Sequence, residues 1–246
     1  MTGLERNRAK LFEHDGSLFV GAFDHPQMYG VMHGLENPIK TIDIMLDTEL
    51  DGFILNPGIF PLLELRHVAK RKIIMRASLG GTMLSKNFAD CHQVMISPQN
   101  VIDQGADAIL VMLVLGGEHD RDSMIEVART VDAFHQYSIP VIVEVLAADF
   151  TKNNESGFVR DGARIAVEIG ADVVKAFYCD DFQAVTAGCP VPVILAGGPK
   201  DSDIVKIAKD AVASGVRGFA LGRNIFQNED PAGLIRTLNR VLRKGE

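Results

Sequence analysis

A lysine in an otherwise apolar run is the most chemically informative residue of this sequence. Lys175 lies in ADVVKAFY, where strand alternation places it on the same face as Val173 and Phe177. The ammonium of such a lysine either reaches solvent or a structural carboxylate, or the amine acts as a nucleophile. Burial and neighbouring cations lower the pKa of a lysine and free the amine to attack carbonyl carbon. We interpret Lys175 as a Schiff-base nucleophile.

The preceding apolar run also contains one charged residue, a glutamate. Glu144 lies in PVIVEVL, two residues from both Ile142 and Leu146, so the three side chains share a face. Adjacent parallel strands would bring Glu144 next to Lys175. Since a carboxylate favours the protonated amine, the site also needs dehydration or a further cation such as Arg76. We predict a proton-transferring pair, with a structural salt bridge as the alternative.

A third ionisable residue, an aspartate, ends an earlier apolar run. In VGAFDHP, Asp24 lies on the same face as Ala22, at the predicted end of a strand. Acidic residues before a turn are most often turn formers or helix caps. Because Asp24 joins Lys175 and Glu144 at one predicted rim, we expect it to bind substrate hydroxyls or to relay protons.

Two glycine-containing loops indicate a phosphate site. In ILAGGPKD, Gly197 and Gly198 let backbone N–H groups approach an anion. In ALGRNIFQ, Gly222 precedes Arg223, whose guanidinium can donate two parallel hydrogen bonds to an anion. A tight turn and a surface arginine are the alternatives for either loop alone. Together they predict a phosphorylated substrate.

Arg76, Ser78 and His25 are further candidates for substrate contact. Ser78 lacks the context of a nucleophile elbow, so serine hydrolysis is not indicated. We expect no metal site, because Glu118, His119 and Asp120 are adjacent and diverge instead of converging on one ion. No GxGxxG motif follows a strand, which argues against a dinucleotide cofactor.

The elements that must position these residues recur along the chain with a regular rhythm. Helical segments separate eight short apolar or β-branched runs, at 18–24, 52–55, 72–77, 107–114, 140–146, 172–178, 191–196 and 217–221. This pattern predicts an α/β fold, a single-domain (β/α)8 TIM barrel spanning 1–246, with an open doubly wound sheet as the alternative. Barrel active sites form at the carboxyl ends of the strands, where the candidate residues fall.

Composition narrows the class of partner. The 246 residues are 47% hydrophobic, and 25 basic against 32 acidic residues give a net charge of −7, which disfavours nucleic acid. The longest apolar runs are too short to cross a membrane. The three cysteines, Cys91, Cys179 and Cys189, form no CxxC pair, which favours a reducing cytoplasm.

The sequence resembles the class I (Schiff-base) aldolases of the deoxyribose-phosphate and archaeal-type fructose-bisphosphate aldolase superfamily. Within it, the thiolase branch that breaks down the phosphorylated autoinducer-2 dione is most similar. The resemblance rests on AFDHP and GLEN within 22–37, MRASLGG at 75–81, ADVVKAFY at 171–178, AGCPVPVILAGG at 187–198 and GRNIFQ at 222–227. It implies that Lys175 forms the Schiff base, that Asp24 is an active-site acid, and that Gly197, Gly198 and Arg223 hold phosphate.

The fifth strand departs from one member of this superfamily. Archaeal-type fructose-bisphosphate aldolases carry a tyrosine proton donor where this sequence has Leu146. IPVIVEVLAAD is instead similar to the fifth strand of class I tagatose-bisphosphate aldolases, whose glutamate shuttles protons. The resemblance therefore assigns this role to Glu144.

Three functions follow as alternatives. The first is a class I aldolase of a phosphorylated ketose, which needs no cofactor beyond the imine at Lys175. The second is a thiolase acting on a phosphorylated dione, with coenzyme A as acceptor. In the third, the barrel binds a phosphosugar without turnover, although binding alone would not require burying Lys175 and Glu144. The resemblance also implies a homo-oligomeric ring, a pentamer or a decamer.

Overall fold

Eight parallel strands close into a barrel in the computed structural model, which describes residues 1–85, 92–198 and 202–245. The strands are β1 (Leu18–Ala22), β2 (Gly52–Leu55), β3 (Lys72–Arg76), β4 (Ala108–Leu115), β5 (Val141–Ala147), β6 (Val173–Ala176), β7 (Val193–Leu195) and β8 (Gly218–Leu221). Each strand pairs with the next in chain order, and β8 pairs with β1. The predicted (β/α)8 barrel is therefore confirmed, and the open sheet was the wrong alternative. All eight predicted runs overlap the observed strands.

Helices follow the strands and cover the barrel. They are α1 (Gly3–Leu11), α2 (Pro26–Tyr29), α3 (Pro38–Met45), α4 (Leu65–Val68), α5 (Pro98–Asp103), α6 (Asp120–His135), α7 (Ser156–Glu168), α8 (Phe182–Ala187), α9 (Ile204–Ala213), α10 (Arg223–Phe226) and α11 (Pro231–Lys244). The 3-10 helices Pro57–Leu62 and Phe150–Lys152 follow β2 and β5. The buried face of α9 is apolar and consists of Ile204, Ile207, Ala208 and Ala211.

Alternation along the strands fills the barrel interior with aliphatic side chains. Ile74, Leu110, Ile142 and Val173 belong to one buried cluster inside the barrel, which Leu11 of α1 also joins. The side chains on the other face of each strand point away from the barrel interior and pack in a larger core between the strands and the helices. Two residues further along the same four strands, the inward positions carry different chemistry, at Arg76, Met112, Glu144 and Lys175. The polar layer therefore lies directly above the apolar one, at the carboxyl ends of the strands.

Some sequence features lie outside the barrel or outside the described residues. Two short antiparallel strands, Ser78–Leu79 and Gln93–Val94, form a separate two-stranded sheet after β3. Cys179 and Cys189 are buried free thiols, whereas Cys91 and the last part of ILAGGPKD, at 199–201, are not among the described residues. Within the described part of the chain, no helix combines the length and apolarity that a membrane span requires.

Candidate active site

Lys175 and Glu144 form a buried ion pair at the centre of the barrel mouth. Their Cα positions are register partners between β5 and β6, and the Lys175 Nζ lies 2.9 Å from the Glu144 Oε1. The two residues are only 4% and 5% exposed. Among the described residues, nothing hydrogen-bonds the second carboxylate oxygen, Oε2 of Glu144. Glu144 lines a cavity, from which a ligand hydroxyl or water can donate to this buried acceptor.

Asp24 and Arg76 form a second buried pair beside the first. The Arg76 Nη1 donates to the Asp24 Oδ2 at 3.0 Å, and its Nε donates to the backbone carbonyl of Ser78 at 3.1 Å. The third donor, Nη2, contacts the Met112 sulfur at 2.9 Å. Burial by itself raises the pKa of Asp24, but the charges of Arg76 and Lys175 outweigh it and hold that pKa below its ordinary value. Asp24 is therefore a carboxylate at neutral pH.

His25 lies between the ion pairs and the loop after β8. Its Nδ1 is 3.7 Å from the Asp24 Oδ1 and has no hydrogen-bond partner among the described residues. Burial lowers the pKa of His25, although Asp24 opposes the shift, so the imidazole is neutral at neutral pH. Gly222 makes room for this ring, because a Cβ at position 222 would lie 2.3 Å from the His25 Cε1.

A cavity with two lobes surrounds Lys175. We call the part beside Asp24 the first lobe and the part beside α10 the second lobe. His25, Glu144, Lys175, Phe177 and Arg223 border both lobes. The remaining walls of the first lobe are Asp24, Met28, Tyr29, Arg76, Met112, Leu146 and Phe150. Those of the second lobe are Ala22, Ala196, Gly198, Ala220, Gly222 and Asn224.

The barrel brings most of the predicted site residues to this one cavity. Those that line it are Asp24, His25, Arg76, Glu144, Lys175, Gly198, Gly222 and Arg223. Gly197 does not line it but adopts φ +109° next to it, where a Cβ would lie 3.0 Å from the Asn224 Oδ1. Ser78 also stands back from the cavity, because its hydroxyl accepts a hydrogen bond from the Met112 backbone N–H at 3.0 Å. Ser78 therefore supports β4 and Arg76.

Two of the wall residues that the sequence did not predict illustrate different reasons for the omission. Asn224 lines the second lobe and follows Arg223 directly in the GRN motif, so the motif itself carried the signal. Met112 is apolar and gave no signal beyond its position, two residues after Leu110 of the barrel interior. Within the described residues, no three histidine, cysteine, aspartate or glutamate side chains are grouped to hold a metal ion.

A parallel barrel with a buried lysine–carboxylate pair at its mouth can support Schiff-base chemistry, in which the lysine bonds a substrate carbonyl. The model of the DeoC/LacD family aldolases matches residues 18–228. The chain belongs to this family and is a class I, Schiff-base aldolase. The third alternative, a barrel without catalytic activity, is thereby set aside.

Individual relatives show how far the similarity extends. A protein from Klebsiella pneumoniae named 3-hydroxy-5-phosphonooxypentane-2,4-dione thiolase is 27% identical over 245 residues, covering 98% of this chain and 81% of that protein. An archaeal fructose 1,6-bisphosphate aldolase matches with a TM-score of 0.87 at 24% identity, over 98% of this chain and 100% of that chain. A Schiff-base-forming fructose-1,6-bisphosphate aldolase matches with a TM-score of 0.85 at 25% identity, over 97% and 99%.

The Asp24–Arg76 pair leads to a prediction about stability and pH. Because the pKa of Asp24 lies below its ordinary value of 3.8, its charge stabilises the fold at neutral pH, and this contribution is lost as pH falls below that value. In Asp24→Asn the buried Arg76 loses its partner, which lowers the free energy of unfolding at pH 7 by about 3–5 kcal/mol. Denaturant titrations between pH 7 and 3 should show that the free energy of unfolding falls less steeply with pH in the variant than in the parent protein. An equally steep fall in both proteins would contradict the low pKa of Asp24.

Proposed function

We propose that this enzyme cleaves or forms a carbon–carbon bond in a phosphorylated ketone, with Lys175 as the Schiff-base nucleophile and Glu144 as the proton shuttle. One observation carries the proposal: the two groups meet at 2.9 Å, buried, where the two lobes of the cavity join. A substrate carbonyl at Lys175 can therefore extend in two directions, with the reacting bond on one side and the phosphate on the other.

The chemistry begins with a proton transfer within the pair. Glu144 takes a proton from the Lys175 ammonium, and the neutral amine adds to the ketone carbon, giving a carbinolamine. Glu144 returns the proton to the departing hydroxyl, water leaves, and a protonated imine remains. The carbonyl oxygen has left as water, so atoms and charge balance.

Bond cleavage then uses the imine as an electron sink. A carboxylate, Glu144 or Asp24, accepts the proton of the hydroxyl on the far carbon. The oxygen forms a carbonyl, the carbon–carbon bond breaks, and its electron pair reduces the iminium to an enamine. Protonation of the enamine and addition of water release the second product and restore the amine. In the reverse direction the same steps form the bond.

The second lobe is where we place the substrate phosphate. Arg223 is exposed, borders both lobes, and makes no salt bridge with any carboxylate of the described residues. Its guanidinium can thus bind a phosphate beside the backbone of Gly198 and Gly222 and the side chain of Asn224. Binding of the phosphate, at a distance from the reacting carbonyl, holds the substrate so that the bond to be broken is correctly oriented.

Replacing Arg223 should weaken substrate binding more than chemistry. For Arg223→Gln we expect KM for a phosphorylated ketone to rise about 10- to 100-fold, because a charge-assisted bond of about 1.5–3 kcal/mol is lost. Steady-state kinetics with the phosphorylated and the unphosphorylated ketone would measure this effect. The unphosphorylated ketone is the control. An equal rise in KM for both ketones would show that Arg223 does not bind the phosphate.

The direct test of the proposal is borohydride reduction in the presence of dihydroxyacetone phosphate, followed by peptide mass mapping. We expect one adduct, on Lys175. An adduct on another lysine, or none with any phosphorylated ketone, would contradict the mechanism.

A thiolase reaction is the second candidate, and the similarity to the Klebsiella pneumoniae dione thiolase favours it. In that reaction the thiol of coenzyme A accepts an acyl group from a phosphorylated dione, so the product is a thioester. The buried Glu144 beside Lys175 favours the aldolase, because it supplies the proton transfers of reversible cleavage. Turnover of a phosphorylated dione, measured with and without coenzyme A, separates the two reactions. Turnover that occurs only with coenzyme A identifies the thiolase.

We further propose that the chain forms a homo-oligomeric ring, a pentamer or a decamer, in the cytoplasm. Large apolar side chains exposed on the outer surface, such as Ile44 at 63% and Leu65 at 78%, support self-association. Light scattering coupled to size-exclusion chromatography measures the subunit number directly, and a monomeric mass would contradict the proposal.

A further inference from the structure

One donor of the Arg76 guanidinium has no oxygen acceptor. The side chain is completely buried, its Nε donates to the Ser78 carbonyl at 3.1 Å, and its Nη1 donates to the Asp24 Oδ2 at 3.0 Å. Among the described residues, Nη2 contacts only two thioether sulfurs, that of Met112 at 2.9 Å and that of Met28 at 3.8 Å. Thioethers are weak acceptors, whereas an oxygen would form a strong, charge-assisted bond with this cation.

This donor borders the first lobe, on the wall that leads to Lys175. Arg76 ends β3, and the next three strands contribute Met112, Glu144 and Lys175, which are successive register partners. Only the strand of Met112 therefore separates Arg76 from Glu144. A ketone bonded to Lys175 and extended along this wall brings the atoms beyond its carbonyl to Glu144 and to the Arg76 donor.

The contact between Arg76 and Met112 is held from both sides by Ser78. Its carbonyl accepts from the Arg76 Nε, and its hydroxyl accepts from the Met112 backbone N–H at 3.0 Å. Asp24 holds the guanidinium at Nη1. The donor is thus fixed in one orientation before a substrate enters, and such preorganised donors are those that stabilise developing charge best.

The other donors at the first lobe suit this task less well. Arg223 borders both lobes but is exposed, so its guanidinium is not held in one orientation. Lys175 itself forms the imine. Neither the Tyr29 hydroxyl nor the imidazole of His25, whose pKa is lowered by burial, carries a positive charge.

We propose that Arg76 is a further catalytic residue, whose Nη2 donates to the substrate oxygen on the carbon beyond the bond that breaks. This inference rests on the proposed function, because it assumes that the ketone is bonded to Lys175. During cleavage a carboxylate takes the proton of that oxygen, the oxygen forms a carbonyl, and the carbon–carbon electron pair moves into the iminium. Arg76 transfers no proton. Its charge stabilises the negative charge that the oxygen carries in the transition state.

An internal acceptor that occupies the donor tests this role. Met112→Gln keeps an unbranched side chain of similar length and places an amide oxygen, a strong acceptor, beside the Arg76 Nη2. Met112→Leu is the matched control, because it removes the sulfur and supplies no acceptor. Both variants leave the charges of the mouth unchanged.

Two rates measured with dihydroxyacetone phosphate separate the steps of the reaction. Exchange of the hydrogen next to its carbonyl in deuterated water requires the imine and the enamine at Lys175, but no second carbonyl. Addition to an aldehyde also requires the donor to the aldehyde oxygen, and glycolaldehyde, glyceraldehyde and glyceraldehyde 3-phosphate are the acceptors tested. In Met112→Gln the ratio of addition to exchange should fall about 10- to 100-fold, as expected when a hydrogen bond to a charged group is lost. In Met112→Leu the ratio should stay near that of the parent enzyme.

A second variant covers the case in which Met112→Gln does not fold. Arg76→Lys keeps a positive charge beside Asp24 but lacks Nη2, so it should lower the same ratio to a similar extent.

Each failure points to a different claim. A ratio equal to that of the parent in Met112→Gln or in Arg76→Lys would overturn the role of Arg76, and the proposed function would stand. An equal fall in Met112→Gln and Met112→Leu would also overturn it, because the effect would then belong to packing at position 112. If the parent enzyme forms no bond with any of the three aldehydes, the proposed function falls and the inference falls with it.

Discussion

Lys175→Arg should abolish imine formation while leaving the fold intact. Arginine keeps a positive charge beside Glu144, but its guanidinium stays protonated and does not add to carbonyl carbon. Borohydride should give no adduct at this position, and turnover should fall roughly 10⁴- to 10⁶-fold, as when a covalent nucleophile is removed. Peptide mass mapping and product assays measure the two effects. Residual turnover within tenfold of the parent enzyme would exclude the imine mechanism.

A neutral replacement separates loss of chemistry from loss of stability. Lys175→Met leaves the buried carboxylate of Glu144 without its partner, which should lower the free energy of unfolding by about 3–5 kcal/mol. The double variant Lys175→Met with Glu144→Gln removes both charges and should recover much of that stability without recovering activity. Thermal unfolding of the two methionine variants tests this, and equal melting temperatures would show that the pair has no structural role.

The barrel was predictable because each strand is a short apolar run and these runs are regularly spaced along the sequence. Helices between successive strands demand parallel pairing, and parallel pairing places neighbouring strand ends side by side. The meeting of Lys175 and Glu144 follows from this logic, because each lies two residues beyond a barrel-interior residue of its strand, Val173 and Ile142.

What spacing could not predict was how far long side chains reach. Arg76 was predicted as a further cation near Lys175, and its guanidinium bonds Asp24, which follows β1, two strands away in the barrel. Likewise Ser78 was expected at the substrate, and its hydroxyl accepts instead from the backbone of Met112. Alternation fixes the face on which a side chain lies, whereas hydrogen-bond partners depend on rotamers and on the packing of the whole mouth.

These contacts give the two carboxylates of the mouth different tasks. Both oxygens of Asp24 face positive or polar groups, since Oδ2 accepts from Arg76 and Oδ1 lies 3.7 Å from His25. Glu144 keeps one oxygen without a hydrogen bond from any described residue. A proton shuttle needs a free lone pair to accept the substrate proton, so Glu144 is the better base and Asp24 the better orienting group.

Glu144→Gln should therefore uncouple imine formation from turnover. The amide is nearly the same size as the carboxylate and can still hydrogen-bond Lys175, but it cannot carry a proton between substrate and solvent. Because glutamine no longer stabilises the protonated amine, the imine on Lys175 should still form and be trapped by borohydride, more slowly because Glu144 no longer protonates the departing hydroxyl, whereas turnover should fall about 10²- to 10⁴-fold. Asp24→Asn is the comparison, since the loss of an orienting group leaves proton transfer through Glu144 in place. Undiminished turnover in Glu144→Gln would remove Glu144 from the mechanism and make Asp24 the remaining candidate base.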